Sequence, residues 1–176
     1  ISNGKIIKFD DALKTIVKID QFSDCKQLKD QFICALKKPN ASDPFFYFLN
    51  SSMLVDGLLL EVPEGSRMEH PIHIINLGPN NTSSVSSPKL IIRINPYVEV
   101  KLIEEFFDLN GSGLLTNSVT HINIDKNATV NHDRIVNMNS ENYHFGQISF
   151  DLCENARLYS NSLVIGGQMT RVDLGV

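Results

Sequence analysis

"VPEGSRM" (residues 62–68), "INPYVEV" (94–100), "IDKNATV" (124–130) and "LCENARL" (152–158) are four versions of one seven-residue pattern. Each opens on an apolar residue and passes through three turn-forming or polar positions. A small or β-branched residue follows, then a polar one, then an apolar one. The copies start at Val62, Ile94, Ile124 and Leu152, a near-constant spacing that shortens slightly along the chain. Strand-like runs flank every copy: "GLLLEV" and "MEHPIHIINL", "KLIIRI" and "VKLIEEFF", "VTHINI" and "VNHDRIVNM", "GQISFDL" and "LYSNSLVIGG". Two strands and a sharp turn cannot bury their own apolar face, but stacked copies can. The repeat therefore predicts a mainly β chain built as a β-solenoid, with parallel pairing between copies. Its period is longer and less strict than that of hexapeptide solenoids, so pattern alone leaves a sandwich or jelly roll open.

Upstream of the repeat the periodicity is helical, from Asp10 to about Lys38. One helical piece runs through Leu13, Ile16 and Val17. A second has Ser23 as N-cap, Asp24 in its first turn and Leu28, Phe32, Ala35 and Leu36 on one face, and Pro39 closes it. "KKPNASDP" then reads as a connector. The expected division is a helical segment and connector over 1–42 and a β-solenoid over 43–176.

Bulk composition narrows the function classes. Charged residues make up 20% of the 176 residues and the net charge is −4, so no electrostatic footprint for nucleic acid or acidic lipid is visible. No apolar run approaches the roughly 20 residues needed to span a bilayer, and no basic-then-apolar signal segment opens the chain. Ile1 stands where a methionine is usual, which reads as a processed or cut start. Cys25, Cys34 and Cys153 are odd in number and lack a CxxC pair, so free thiols in a reducing cytoplasm are expected. The glycosylation-type triplets at Asn50 and Asn127 are of a kind that chance supplies in a chain rich in Asn and Ser.

The stretch "PFFYFLNSSMLVDGLLLEVPEGSRMEHPIHIINLG" resembles the opening of the β-helical core of the SufB/SufD family of iron–sulfur cluster assembly proteins. "NSVTHINIDKNATVNHDRIVNMNSENYHFG" and "SNSLVIGGQMTRVDL" continue the resemblance, which covers most of Asp43–Val176. The wording "DGLLLEVPEG…EHPIHI" is closer to the SufD branch than to the SufB branch. The resemblance implies a right-handed parallel β-helix flanked by helical segments. It also implies a place in a complex of SufB-like, SufD-like and SufC-like ATPase proteins that assembles and passes on a nascent iron–sulfur cluster. Family helices that bind the ATPase, and the Cys and His residues implicated in cluster assembly, lie in a C-terminal half that no position here matches. The chain is therefore expected to be a C-terminally truncated β-helix, a scaffold piece with no cluster bound and neither binding nor stimulation of the ATPase on its own.

The candidate chemical residues support this reading. His70 and His73 are three apart, so on an extended strand they face opposite sides and cannot readily share a metal, although Pro71 could bend the strand. His121, His132 and His144 are almost evenly spaced and could meet in a solenoid, yet lone strand histidines are more often packed than ligating. Cys153 has Glu154 beside it and no helix N-terminus or Lys nearby in sequence. Glu104 and Glu105 are adjacent and should face opposite sides of a strand, which is poor geometry for an acid–base pair. No GxSxG elbow is present, and "NGSG" and "VIGGQ" are turns lacking the phosphate-loop lysine. No catalytic, cofactor-binding or metal residue is assigned, and the chain is not expected to be an enzyme. The competing classes are a secreted β-helical carbohydrate-active enzyme, which the absence of Trp and of a signal disfavours, and a cupin-like metal-binding jelly roll, which HxxH does not satisfy.

Two further expectations concern packing. Four residues beyond each turn segment stand Ile72, Glu104, Arg134 and Ser162, which should form one column across neighbouring strands. Glu104 and Arg134 would then meet, either as a solvent-facing or partly buried ion pair or as part of a polar track inside or beside the solenoid. The last rung carries apolar Leu163, Val164 and Ile165 with only Arg171 and Asp173 as nearby charges, so self-association through it is expected.

Overall fold

The computed structural model describes residues 1–8, 10–24, 44–79, 83–109 and 112–176. The element order is α1 (Asp11–Lys14), β1 (Lys18–Gln21), α2 (Phe45–Ser52), β2 (Gly57–Val62), β3 (Ile72–Leu77), β4 (Val85–Ser86), β5 (Lys89–Ile94) and β6 (Glu99–Phe107). It continues with β7 (Leu115–Ile124), β8 (Thr129–Met138), β9 (Tyr143–Leu152), β10 (Arg157–Gly166) and β11 (Met169–Gly175). One sheet runs β1-β2-β5-β7-β9-β11 with β4 beside β7, and the other runs β10-β8-β6-β3. Every pair in both sheets is parallel except β1–β2. The chain is a β-solenoid whose four repeated turns stack at one corner, and the sandwich and jelly-roll alternatives fall away.

The corner turns carry the ladder from one sheet to the other. Gly65, Tyr97, Asn127 and Asn155, which share one place in the repeated turn, all have left-handed φ values of 70°, 61°, 57° and 57°. In that conformation the N–H of Gly65 donates to Pro96 O at 3.0 Å, that of Tyr97 to Lys126 O at 3.3 Å and that of Asn127 to Glu154 O at 3.1 Å. Gly and Asn suit this geometry; Tyr97 adopts it against the usual steric cost of a β-carbon. The small or β-branched residue that follows turns inward, with Val98 and Ala128 fully buried.

Along the strands, burial alternates as a half-buried sheet requires. Leu58, Leu60, Val62, Leu90, Ile92, Ile94, Ile122, Ile124, Ile148 and Phe150 meet Ile72, Ile74, Val100, Leu102 and Val130 in the main interior cluster. A second, smaller cluster of Phe106, Val136 and Met138 fills the far end of the same strands. At the other limit of the stack, β10 and β11 are the last strands of their sheets, and Leu163, Val164, Ile165, Met169 and Leu174 are exposed there.

Three expectations need correction. Among the described residues, the helical pattern from Asp10 yields only the short α1, capped by Asp10 Oδ1 accepting from Ala12 N at 3.0 Å. Lys18–Gln21 is instead a strand antiparallel to β2, because the open edge of that sheet offers the backbone partners that a short solvated helix lacks. The second helical piece and most of the connector fall on 25–43, outside the described residues. Phe45–Ser52, in territory read as strand, is a helix. The third correction is one of register: Ile74, not Ile72, lies opposite Glu104, and Ile72 lies opposite Leu102. Upstream, Arg67 still bridges Glu99 in the register that the turn spacing predicts. The segment from Arg67 to Ile72 is therefore two positions longer than the one it faces, Glu99 to Leu102, and Pro71 interrupts the ladder within it.

Helix α2 lies on the outer face of the larger sheet. The Phe46 ring stacks on Phe145 with centroids 4.2 Å apart. Two buried amides clamp the backbones together: Asn50 Nδ2 donates to Pro88 O and Asn117 O, and Asn117 Nδ2 donates to Phe46 O. Beneath the helix Lys89 is 3% exposed, donates from Nζ to Ser51 Oγ at 2.7 Å and sits 4.5 Å from the Tyr47 ring centroid. Burial drives the Lys89 amine down to about 7. Folded and unfolded chains both hold this proton below pH 7, so the folded state there carries the full cost of a buried cation. Between pH 7 and 10 the folded chain releases the proton while the unfolded chain keeps it, and stability rises with pH. Burial lifts Tyr47 to about 12, so above pH 10 the unfolded tyrosine ionises first and stability falls again. Urea denaturation from pH 6 to 10 should show a rise on the order of a few kcal/mol, and Lys89→Met should be more stable at pH 6 and flatten it. An unchanged slope in Lys89→Met would refute the assignment.

Candidate functional site

The concentration of chemistry in this molecule is a polar band inside the solenoid, lying between the two apolar clusters. It is built by strand parity. Glu104 on β6 shares the inward parity of Leu102 and Phe106, and Arg134 on β8 that of Val130 and Val136. Being one rung apart in register, the two side chains meet: Arg134 Nη1 donates to Glu104 Oε2 at 2.9 Å, with both side chains at most 3% exposed. From the opposite sheet Thr120 Oγ1 donates to Glu104 Oε1 at 2.6 Å, and Arg134 Nη2 donates to Ser118 Oγ at 2.8 Å. Of the two packings expected for this pair, the interior polar track is the one realised.

Aromatic and imidazole rings close the band. The Arg134 guanidinium lies 4.6 Å from the Phe106 ring centroid, and the Phe106 ring meets His144 edge-on at 4.8 Å. His132 places Nε2 3.8 Å from Glu104 Oε2, longer than a hydrogen bond, and Nδ1 3.2 Å from Ser160 Oγ. Gly146 makes room for this crowding: a β-carbon there would stand 2.6 Å from Arg134 Nη2 and 2.8 Å from His144 Nε2, so both side chains would have to shift.

The protonation states follow from the packing. Burial alone would raise Glu104, but the Arg134 charge, His132 and the Thr120 hydroxyl outweigh it and hold the carboxyl at about 2. Burial lowers Arg134 while Glu104 pulls it back up, and a guanidinium with its partner in place stays charged. Burial, reinforced by Arg134, drives His144 down to about 3, so its imidazole is neutral. The centre is thus a balanced ion pair flanked by a neutral ring. Such a pair costs several kcal/mol per ion to desolvate and roughly recovers that by attraction, so its contribution is specificity more than stability.

The remaining candidates separate cleanly. Of His121, His132 and His144, only the latter two lie inside the solenoid; His121 has outward parity on β7. There its Nδ1 lies 2.6 Å from Ser149 Oγ and its Nε2 3.1 Å from Asp151 Oδ2. His73 pairs with Glu105 on the outer face at 2.9 Å, and His70 sits exposed in the lengthened segment before β3. Glu104 and Glu105 face opposite ways as expected. Cys153 is an exposed free thiol in the fourth turn. Among the described residues, no three His, Cys, Asp or Glu side chains converge as a metal-binding group. An open hollow of about 500 Å³ beside the third and fourth turns is lined by Asn127, Thr129, Asn155, Ala156 and Arg157, with neither carboxylate nor imidazole. Sequence parity against Val130 and Val136 was signal enough to place His132 inside; the partnership of His144 depends on the facing sheet and had no local signal.

Removing one charge should expose the asymmetry of the pair. Glu104→Gln, which strands the Arg134 cation, is expected to cost about 3–5 kcal/mol, whereas Glu104→Leu with Arg134→Leu should recover most of that loss. In wild type, acid should destabilise in two stages. From pH 6.5 to 3 the unfolded chain binds a proton at His144 that the folded chain excludes, and from 4.5 to 2 the same happens at Glu104. Urea midpoints across pH 2–7 test both, and His144→Gln should remove the upper stage alone. A double variant as unstable as Glu104→Gln would show that the cost is steric.

Comparison with known proteins gives one family. A family model described as "SUF system FeS cluster assembly, SufBD core domain" matches residues 75–176, which run from within β3 to the end of β11. Protein ABCI7, chloroplastic, of Arabidopsis thaliana is 26% identical over 98 residues, covering 52% of this chain and 21% of that protein. The chain thus spans about a fifth of the length of that curated relative. Among the described residues no helix is long and apolar enough to cross a membrane.

Proposed function

The chain belongs to the SufBD core family of SUF-system iron–sulfur cluster assembly proteins, and on that premise we propose that it is a non-catalytic scaffold element, of the SufD branch, in a complex with SufB-like and SufC-like partners. The observation that carries this reading is the position of the family match: it falls on the stacked rungs themselves, residues 75–176. A filled interior suits a scaffold. Large side chains such as Arg134, Phe106 and Phe150 fill the interior and hold the rungs in one fixed arrangement. The proposed compartment is the cytoplasm, and the exposed free thiol of Cys153 supports a reducing one.

Depleting the protein that carries this chain tests the assignment. The activity of iron–sulfur-dependent enzymes should fall several-fold while enzymes without clusters keep theirs, and an affinity-tagged copy of that whole protein should recover the SUF ATPase, whereas the isolated chain should not. Unchanged cluster-enzyme activity after depletion would sink the proposal.

A further inference from the structure

His121, Asn123, Ser149 and Asp151 form a two-by-two patch on the outer face of the larger sheet, His121 opposite Ser149 and Asn123 opposite Asp151 on adjacent parallel strands. Two oxygens converge on one ring nitrogen there. Asp151 Oδ2 lies 3.1 Å and Asn123 Oδ1 3.2 Å from His121 Nε2. A single N–H makes only one well-aligned hydrogen bond, so with the Asp151 carboxylate as its acceptor the Asn123 oxygen is surplus to a proton but not to a larger cation. The other ring nitrogen, Nδ1, is held by Ser149 Oγ at 2.6 Å, which fixes the plane of the imidazole.

We propose that His121, Asn123 and Asp151 bind a first-row divalent transition-metal ion, with Ser149 as the residue that orients the ring. Ligands bonded to zinc-like ions at about 2.0–2.2 Å stand about 3.0–3.5 Å from one another in tetrahedral or octahedral shells, and both separations measured from Nε2 fall in that range. The donor set is imidazole, carboxylate and amide oxygen, which suits zinc, cobalt, nickel or ferrous ions better than magnesium or calcium. In the metal-bound form Nδ1–H donates to Ser149 Oγ and leaves the Nε2 lone pair directed at the ion, the arrangement that second partners of metal-bound histidines usually enforce. The Asp151 side chain is 51% exposed, so water can complete the shell.

Two features limit affinity. With two side chains of the usual ligating types plus an amide, the patch falls short of a three-ligand His/Cys/Asp/Glu group. Arg93 on β5 also stands opposite Asn123 in register, one strand away, and its charge opposes a cation. The site is accordingly a weak, exchangeable one, and proton and metal compete for Nε2, so binding weakens as pH falls. The inference is independent of the family assignment, since it concerns metal binding by the isolated chain.

Co²⁺ titrated into the chain, followed by calorimetry and by paramagnetic broadening of amide signals, tests it. Residues 121–123 and 149–151 should broaden first, and a tenfold excess of Mg²⁺ should not reverse this. His121→Ala and Asp151→Ala should each weaken binding at least about 10-fold, and Ser149→Ala by about 10-fold through loss of ring orientation. His73→Ala should leave affinity unchanged, and circular dichroism should show all four variants folded; these are surface changes. No broadening at these positions at about 1 mM Co²⁺, or affinity untouched by His121→Ala, would overturn the proposal.

Discussion

Parallel backbone pairing that runs through the corners as well as along the strands is the constraint on which the other features rest. A turn residue in the left-handed conformation points its N–H at the next rung, and three such bonds in succession join Gly65, Tyr97 and Asn127 to the carbonyls below them. Because the corners pair, the strands leaving them start in register on both sheets. Side-chain parity is then fixed around the rung, and the inward columns follow the sequence offset except on β3, where the longer segment from Arg67 to Ile72 shifts the register by two. The interior clusters, the polar band between them and the outer histidine patch are all consequences of that parity.

The polar band shows what parity does to charge. Glu104 and Arg134 could each have been placed outside by a one-residue slip of β6 or β8, which would also expose Leu102, Phe106, Val130 and Val136. A slip that kept the apolar residues inside but moved one strand by two positions would separate the charges and bury each without its partner. The pair therefore penalises register errors that apolar packing alone would tolerate. The crowding of Gly146 against Arg134 and His144 narrows the choice further, since no residue with a β-carbon fits there without movement.

Much of this could be read from the chain. The spacing of the four turns predicted the stacking, and counting from those turns brought Glu104 beside Arg134. The same count misplaced Ile72, because the segment from Arg67 to Ile72 is longer than its neighbour on the next rung and no local signal but Pro71 marks the difference. Helix α2 escaped detection for a different reason. "PFFYFLN" is rich in residues that favour strands, and what decides its state is the Phe46–Phe145 stack and the Asn50 and Asn117 clamps, all contacts distant in sequence. β1 was likewise decided by an open sheet edge far along the chain, where Lys18 pairs with Glu61, rather than by its own periodicity.

The placement of one ion pair across two rungs also changes how the stack comes apart. In a linear array of repeats, each unit can detach from an end at the cost of one interface, so fraying proceeds stepwise. Here β8 cannot peel away from β6 without leaving Glu104 inside without its cation, and Ser118, Thr120 and His144 tie the same event to the facing sheet. The rungs holding β6 to β9 are thereby tied into one cooperative block that opens as a unit or not at all.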